Sequence, residues 1–310
     1  MNKDLISIGE MSRKEILDIF SLTEKIKKSP GKYSRALKGK SLALIFEKPS
    51  NRTYVSFSVG MYQLGGNAIY LGPEQIKLGV RETIHDVAQT LSRYVDGIVL
   101  RTFGHENVLE MAKFADIPVI NGLSDYSHPC QALADVFTIR EHLGDTFEKI
   151  TMAYIGDGNN VCNSLIFISS KLGMHFNIAT PRGYEPDESL LKKISPAARE
   201  TKARIRLCAT SEEAAKDADV IYTDVWASMG QEREAEKRKQ DFKDYQVNDR
   251  LVGLAKKSCI VMHCLPAHRG EEITDSAIDG KNSAVFDQAE NRLHVQKAIL
   301  VTLLKRLIRH

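Results

Sequence analysis

Short, wholly apolar runs alternate with helical stretches along almost the whole chain, and this alternation narrows the fold more than any other feature. Leu42 to Phe46 is apolar throughout. A polar turn follows, Lys48-Pro49-Ser50-Asn51-Arg52-Thr53, and then Val55, Phe57, Val59, Met61 and Leu64 lead to Gly65-Gly66. That is strand, tight turn and helix, with a glycine stop. Further strands are predicted at 67–72, 97–102, 118–123, 150–156, 175–180, 204–210, 219–224, 259–265 and at Ser283 to Phe286. Helices are predicted over 12–28, where Ser12 and Glu15 form a capping-box pattern, and at 83–94, 105–115, 129–144, 187–199 and 288–309, with another running to Gly173. Strands alternating with helices predict α/β structure: parallel sheets covered on both faces.

At 310 residues the chain is long enough for two domains of ordinary size. The helix at 129–144 is expected to carry the boundary, since no Pro/Ser-rich linker or low-complexity segment interrupts the chain. Net charge is +3, with both signs mixed along the length, unlike the clustered basic face of a nucleic-acid-binding protein. The stretch Glu232 to Lys243 alternates in sign and reads as a solvated helix face. No apolar run is long enough to span a bilayer, and MNKDLISIGEMSRKE lacks the apolar core of a signal peptide. Five scattered cysteines (130, 162, 208, 259, 264) form no CxxC pair, so free thiols in a reducing cytoplasm are expected.

In open parallel sheets, ligands bind beyond the carboxyl ends of the strands. That rule selects the segments after Phe46, Leu100, Leu123, Ile155, Asp224 and Leu265, all rich in polar residues. In the first, a helix N-terminus with two hydroxyls and Arg52 suits a phosphate or similar anion. An ordinary capped helix with Arg52 in water fits the same residues. Arg101 stands at the end of the 97–102 strand, and His128-Pro129-Cys130-Gln131 opens a helix. His128 is a candidate donor to developing charge at that anion, or only a cap for its own helix. Gly156-Asp157-Gly158-Asn159-Asn160-Val161 is a poor dinucleotide fingerprint, because Val161 replaces the third glycine and no acid stands at the ribose position. Its adjacent amides suit a polar small molecule. Asp224 can hold a ligand ammonium or cap the charged helix behind it. His263, Cys264 and His268 have the ligand types of a zinc site but not its spacing, and nothing local gives Cys264 a partnered base.

Taken together these motifs resemble the aspartate and ornithine carbamoyltransferases. FEKPSNRTYVSF is similar to the carbamoyl-phosphate turn of that family, usually S-T-R-T-R, and HPCQALAD to its H-P-x-Q motif. DVWASMGQE carries the D-x-x-x-S-M-G signature of the ornithine branch, HCLPAHRG resembles that branch's H-C-L-P motif, and DQAENR also matches. The resemblance runs in order from about residue 3 to 308.

The resemblance implies two doubly wound parallel-sheet α/β domains, with the C-terminal helix packing back on the first. The expected division is a carbamoyl-phosphate-binding domain over 1–134, completed by 289–310, and an ornithine-binding domain over 135–288. It implies transfer of a carbamoyl group from carbamoyl phosphate to L-ornithine, a place in arginine metabolism, no cofactor or metal, and a homotrimer or multiple of trimers with shared active sites. By motif, Ser50, Asn51, Arg52 and Thr53 would hold the phosphate with Arg101. His128, Gln131 and Arg292 would hold the carbamoyl group, with Cys264 and Leu265 lining the site; Arg101, His128 and Cys264 would serve the reaction itself. Asn160, Asp224, Ser228 and Met229 would bind ornithine, Asp224 taking the α-ammonium and Asn160 the carboxylate end, under a closing loop at 225–231. Asn51 and Tyr54 depart from the usual turn, and Tyr54 removes a positive charge. Lys77 stands where many relatives carry Gln or His, on a loop that reaches a neighbour's site, and is expected to restore that charge. Transfer to putrescine, N-acetylornithine or aspartate, and a non-catalytic carbamoyl-phosphate-binding role, are the competing readings; Asp224 with the SMG loop, and the intact Arg52, Arg101, His128 and Cys264, argue against them.

Overall fold

The computed structural model describes residues 2–227, 230 and 232–305. The chain forms two compact units. One runs to Leu133 and resumes at Glu290; the other spans Ala134 to Ala289. The chain leaves the first unit within helix Pro129–Leu143 and returns within helix Val285–Leu304.

The first unit holds four parallel strands, β1 (Ser41–Phe46), β2 (Asn67–Leu71), β3 (Gly97–Arg101) and β4 (Val119–Leu123), in the order β2-β1-β3-β4. Leu42 to Phe46 and Ile98 to Leu100 are buried, as a central pair covered on both faces requires. One face packs Ala43, Ile45, Ile98 and Leu100 against Val87, Ala88, Val108 and Met111 of helices Ile84–Tyr94 and His105–Phe114. The final helix packs on this unit, its Lys297 Nζ donating to Gln63 Oε1 at 2.9 Å. The predicted capping box is present: Ser12 Oγ accepts from Glu15 N–H at 3.2 Å, and Glu15 Oε2 from Ser12 N–H at 2.7 Å. Leu5 bridges Ile120 and covers the outer edge of β4, while β2 leaves Ile69 and Tyr70 exposed at the opposite edge.

The second unit holds five parallel strands, β5 (Thr151–Ile155), β6 (His175–Ala179), β7 (Ile205–Leu207), β8 (Val220–Thr223) and β9 (Ile260–His263), in the order β7-β6-β5-β8-β9. Two predicted strands are corrected here. The strand expected at 204–210 stops at Leu207, because Thr210 turns to cap the next helix, its Oγ1 accepting from Glu213 N–H at 3.1 Å. The strand expected at Ser283 to Phe286 is only an isolated bridge between Ser283 and Val261. Val285 already begins the last helix, and Ser283 Oγ accepts its N–H at 3.4 Å. The loop expected after β2 contains a short helix, Pro73–Ile76. No helix among the described residues is long and apolar enough to cross a membrane.

Gly65, just past helix Asn51–Gln63, has φ +83°, and a Cβ there would lie 2.6 Å from the Ser34 carbonyl oxygen. Gly65→Ala should therefore destabilise the protein by more than the roughly 1–2 kcal/mol of a left-handed non-glycine residue. Urea unfolding of the variant should show a lower midpoint, and an unchanged midpoint would contradict the packing described.

Candidate active site

Each sheet contains one place where the strand order reverses. In the first unit it lies between β1 and β3, since β1 leads outward to β2 and β3 leads the other way to β4. Phe46 and Arg101 are register partners there, so the turn after β1 and the end of β3 open side by side. In the second unit the reversal lies between β5 and β8, where Ile155 is paired with Thr223. The turn at 156–160 and Asp224 follow directly.

At the first reversal Ser50 caps helix Asn51–Gln63, its Oγ accepting from Thr53 N–H at 3.3 Å. Asn51 is exposed, Arg52 half-buried and Thr53 buried. Arg292, on the final helix, donates through Nη2 to Thr53 Oγ1 at 3.1 Å and through Nη1 to Gln131 Oε1. Arg101, His128, Gln131 and Arg292 are all buried. The structure thus joins residues widely separated in sequence into one cationic cluster. Burial first, and then Arg292, Arg101 and Arg52, hold the His128 imidazole well below its usual 6.5. The backbone carbonyl of His128 accepts from Gln131 and Ala132 N–H and starts the helix, while its side chain lies among the arginines. A neutral imidazole can donate one hydrogen bond without adding charge.

Tyr54, a departure from the usual turn, and Lys77, a predicted phosphate ligand, lie differently. Tyr54 stands where the family has a second arginine, and its ring packs 4.7 Å from Tyr70, itself 5.5 Å from Phe46. A cluster of tilted and edge-on aromatic rings joining helix to edge strand occupies the position. Lys77 is exposed, held in left-handed backbone at φ 42° between buried Ile76 and Leu78. Among the described residues its ammonium makes no hydrogen bond or ion pair with the cluster.

At the second reversal Asp224 is buried and holds several donors at once. Oδ2 accepts from Asn159 Nδ2 at 2.8 Å; Oδ1 accepts from Cys264 Sγ at 2.9 Å and from Val225 N–H at 2.8 Å. It does not cap the charged helix, whose N-cap is Glu234. Asn160 is half-buried at the first position of helix Asn160–Leu172. Ser228 and Met229 lie outside the described residues. Burial and then Asp224 push the Cys264 thiol well above its usual 9.0, so it remains a donor and not a thiolate nucleophile. Asp224, His263 and Cys264 bring possible ligand atoms within 4.8 Å of one another. Both nitrogens of His263 are nonetheless engaged, Nδ1 with Leu265 N–H at 2.8 Å and Nε2 with Glu272 at 3.0 Å.

Asn159, in the sequence only one of two adjacent amides suited to a small molecule, is instead occupied within the protein. Its Oδ1 caps the helix, accepting from Val161 and Cys162 N–H at 2.9 and 3.1 Å, while its amide steadies Asp224. An asparagine before a helical stretch is an N-cap signal, and it was available in the sequence. Burial pushes the Asp157 carboxyl up to about 6, against the pull of Arg238, which donates to it at 2.9 Å. Arg238 is the correction to the solvated-face reading of 232–243: it is buried.

The family model described as aspartate/ornithine carbamoyltransferase, carbamoyl-P binding domain, matches residues 3–141. The model described as aspartate/ornithine carbamoyltransferase, Asp/Orn binding domain, matches 148–303. An ornithine carbamoyltransferase of Thermococcus kodakarensis is 53% identical over 304 residues, covering 97% of this chain and 96% of the relative. One of Archaeoglobus fulgidus is 51% identical, covering 97% of each. Among solved structures, ornithine carbamoyltransferase from Pyrococcus furiosus aligns with TM-score 0.95 at 52% identity, covering 98% of this chain and 97% of that one. The Thermus thermophilus enzyme aligns with TM-score 0.88 at 45% identity, covering 98% and 99%.

The depressed His128 sets a testable pH dependence. On unfolding its pKa returns toward 6.5, so below that pH the unfolded chain binds a proton that the folded chain refuses. Stability should fall on acidification, with His128 supplying about 1.4 kcal/mol per pH unit in that window. Urea unfolding at a series of pH values should show a shallower slope for His128→Gln; an identical slope would contradict a neutral His128.

Proposed function

The chain belongs to the aspartate/ornithine carbamoyltransferase family, and on that premise we propose that it transfers the carbamoyl group of carbamoyl phosphate to the δ-amine of L-ornithine, giving L-citrulline and phosphate. The observation that carries the reading is the pair of strand-order reversals, one furnished with a cationic cluster and the other with a buried carboxylate.

Carbamoyl phosphate goes to the first. Its phosphate meets the N-terminus of helix Asn51–Gln63, the hydroxyls of Ser50 and Thr53, and the guanidinium groups of Arg52 and Arg101. His128, Gln131 and Arg292 take the carbamoyl end. Ornithine goes to the second: Asp224 takes the α-ammonium and Asn160 the carboxylate, and the motif assigns Ser228 and Met229 to the same substrate.

Carbamoyl phosphate already carries a good leaving group, so the protein need not form a covalent intermediate. The δ-amine must be neutral to attack, and a dry site rich in arginine opposes its ammonium form. Attack at the carbamoyl carbon forms the C–N bond and a tetrahedral oxyanion. Arg101, neutral His128 and the Thr53 hydroxyl would donate to that oxygen, a role supported by their burial in one cationic cluster. Collapse breaks the bond to the phosphate oxygen, and phosphate leaves with a proton from the amine. Cys264, held as a thiol, keeps a hydrogen bond on Asp224 throughout.

The proposal extends to a homotrimer or a multiple of trimers, to the cytoplasm and to arginine metabolism. Exposed Ile69 and Tyr70 on the uncovered β2 edge, beside exposed Tyr54, support association with a second copy. Five free cysteines are what a reducing compartment keeps. Lys77, presented between two buried anchors, is proposed to reach a neighbour's phosphate.

Purified protein given carbamoyl phosphate with ornithine, putrescine, N-acetylornithine or aspartate should form a ureido product from ornithine alone. Product from another amine would overturn the ornithine assignment, and no product at all would overturn the activity. Lys77→Ala should raise the KM for carbamoyl phosphate, about tenfold for one lost charged contact; an unchanged KM would contradict its role.

A further inference from the structure

The stretch 232–243 is highly charged and mostly exposed, yet Arg238 within it is only 6% exposed. A buried guanidinium is costly unless its donors are matched, so its partners repay inspection. Nη1 donates to Asp157 Oδ2 at 2.9 Å and to the carbonyl oxygen of Trp226 at 2.8 Å. Nε donates to Glu234 Oε2 at 3.2 Å, and the guanidinium carbon lies 4.8 Å from the centre of the Tyr184 ring.

Asp157 and Trp226 belong to different strand ends. Asp157 lies in the turn after β5, two residues before Asn159 and three before Asn160. Trp226 lies two residues beyond Asp224, after β8. One nitrogen atom therefore ties together the two segments that flank the reversal in this sheet. The ends of the tie are themselves held. Asn159 N–H donates to the Asp157 carbonyl at 2.7 Å, and Tyr154 OH donates to the same oxygen at 2.8 Å. The Trp226 ring, 5% exposed, stacks on Phe242 with centroids 5.8 Å apart and planes 27° from parallel. Phe242 is fully buried, and its N–H donates to the Arg238 carbonyl at 2.9 Å.

We propose that Arg238 is a positioning residue for amino-acid selection: it sets the spacing between Asn160 and Asp224 by holding Asp157 and the Trp226 carbonyl in one grip. The inference rests on the reading that these two residues take the carboxylate and ammonium of an α-amino acid. Those groups sit on one carbon, so the distance between their binding partners is a selection rule. A simple diamine presents no such pair and gains nothing from the spacing. Lysine in place of Arg238 keeps the charge but cannot reproduce the planar fork.

The test compares Arg238→Met, Arg238→Lys and Asp157→Asn with the wild-type protein in steady-state kinetics. Arg238→Met should raise the KM for ornithine about ten- to a hundredfold, the size of a lost charged hydrogen bond with some misplacement, while the KM for carbamoyl phosphate stays within about twofold. Arg238→Lys and Asp157→Asn should fall between the two. Trp226 is the only tryptophan in the chain, so its emission reports the same grip without turnover. L-norvaline, an α-amino acid that lacks the attacking amine, should perturb wild-type emission and require a correspondingly higher concentration in Arg238→Met. A wild-type KM for ornithine in all three variants would overturn the proposal, as would equal losses for both substrates. If Arg238→Met does not fold, the ornithine KM of the other two variants decides. Failure of the wild-type protein to form citrulline would instead overturn the ornithine reading itself.

Discussion

Parallel strands all end on the same side of their sheet, and where their order reverses, neighbouring connections leave in opposite directions. The polar groups of both connections then face a crevice that no crossover helix covers. The rest of this molecule depends on that constraint, met once in each unit. Between β1 and β3 it places Ser50 to Thr53 beside Arg101; between β5 and β8 it places the turn at 156–160 beside Asp224. Apolar runs such as Leu42 to Phe46 make the strands, but the order of the strands decides which polar residues meet.

The charges gathered there are managed by burial and pairing. Three arginines around His128 would be unfavourable beside a protonated imidazole, and burial keeps the ring neutral. The second unit contains a comparable chain of hydrogen-bonded buried polar groups. Gln288 donates to Asp135 at 2.7 Å and accepts from His263 N–H at 2.9 Å; His263 in turn holds Glu272 and the N–H of Leu265. Tyr222 OH donates to Asp135 at 3.0 Å. Such a network fixes the segment carrying Cys264, whose thiol reaches Asp224.

Most strand positions, the capping box at Ser12 and the capped turn after β1 were legible in the sequence, because periodicity and capping act over a few residues. The cluster of Thr53, Gln131 and Arg292 was legible only through resemblance to a family, since no local pattern brings residue 292 to residue 53. Ser283 to Phe286 misled because a short run containing Val and Phe can also open a helix, and here Val285 N–H turns back to Ser283 Oγ as the helix begins. Arg238 was illegible for a different reason. Alternating charge marks a surface helix on average, and one buried member among exposed neighbours leaves the pattern unchanged.

The claim on which everything else rests is that the reversal between β1 and β3 is a carbamoyl-phosphate site. Calorimetric titration of carbamoyl phosphate into wild-type protein and Arg101→Gln tests it most directly. Loss of the guanidinium should weaken binding about ten- to a hundredfold, as removal of a charged hydrogen bond from a buried anion site does. Wild-type affinity in Arg101→Gln would place the phosphate elsewhere and contradict the reading of that crevice.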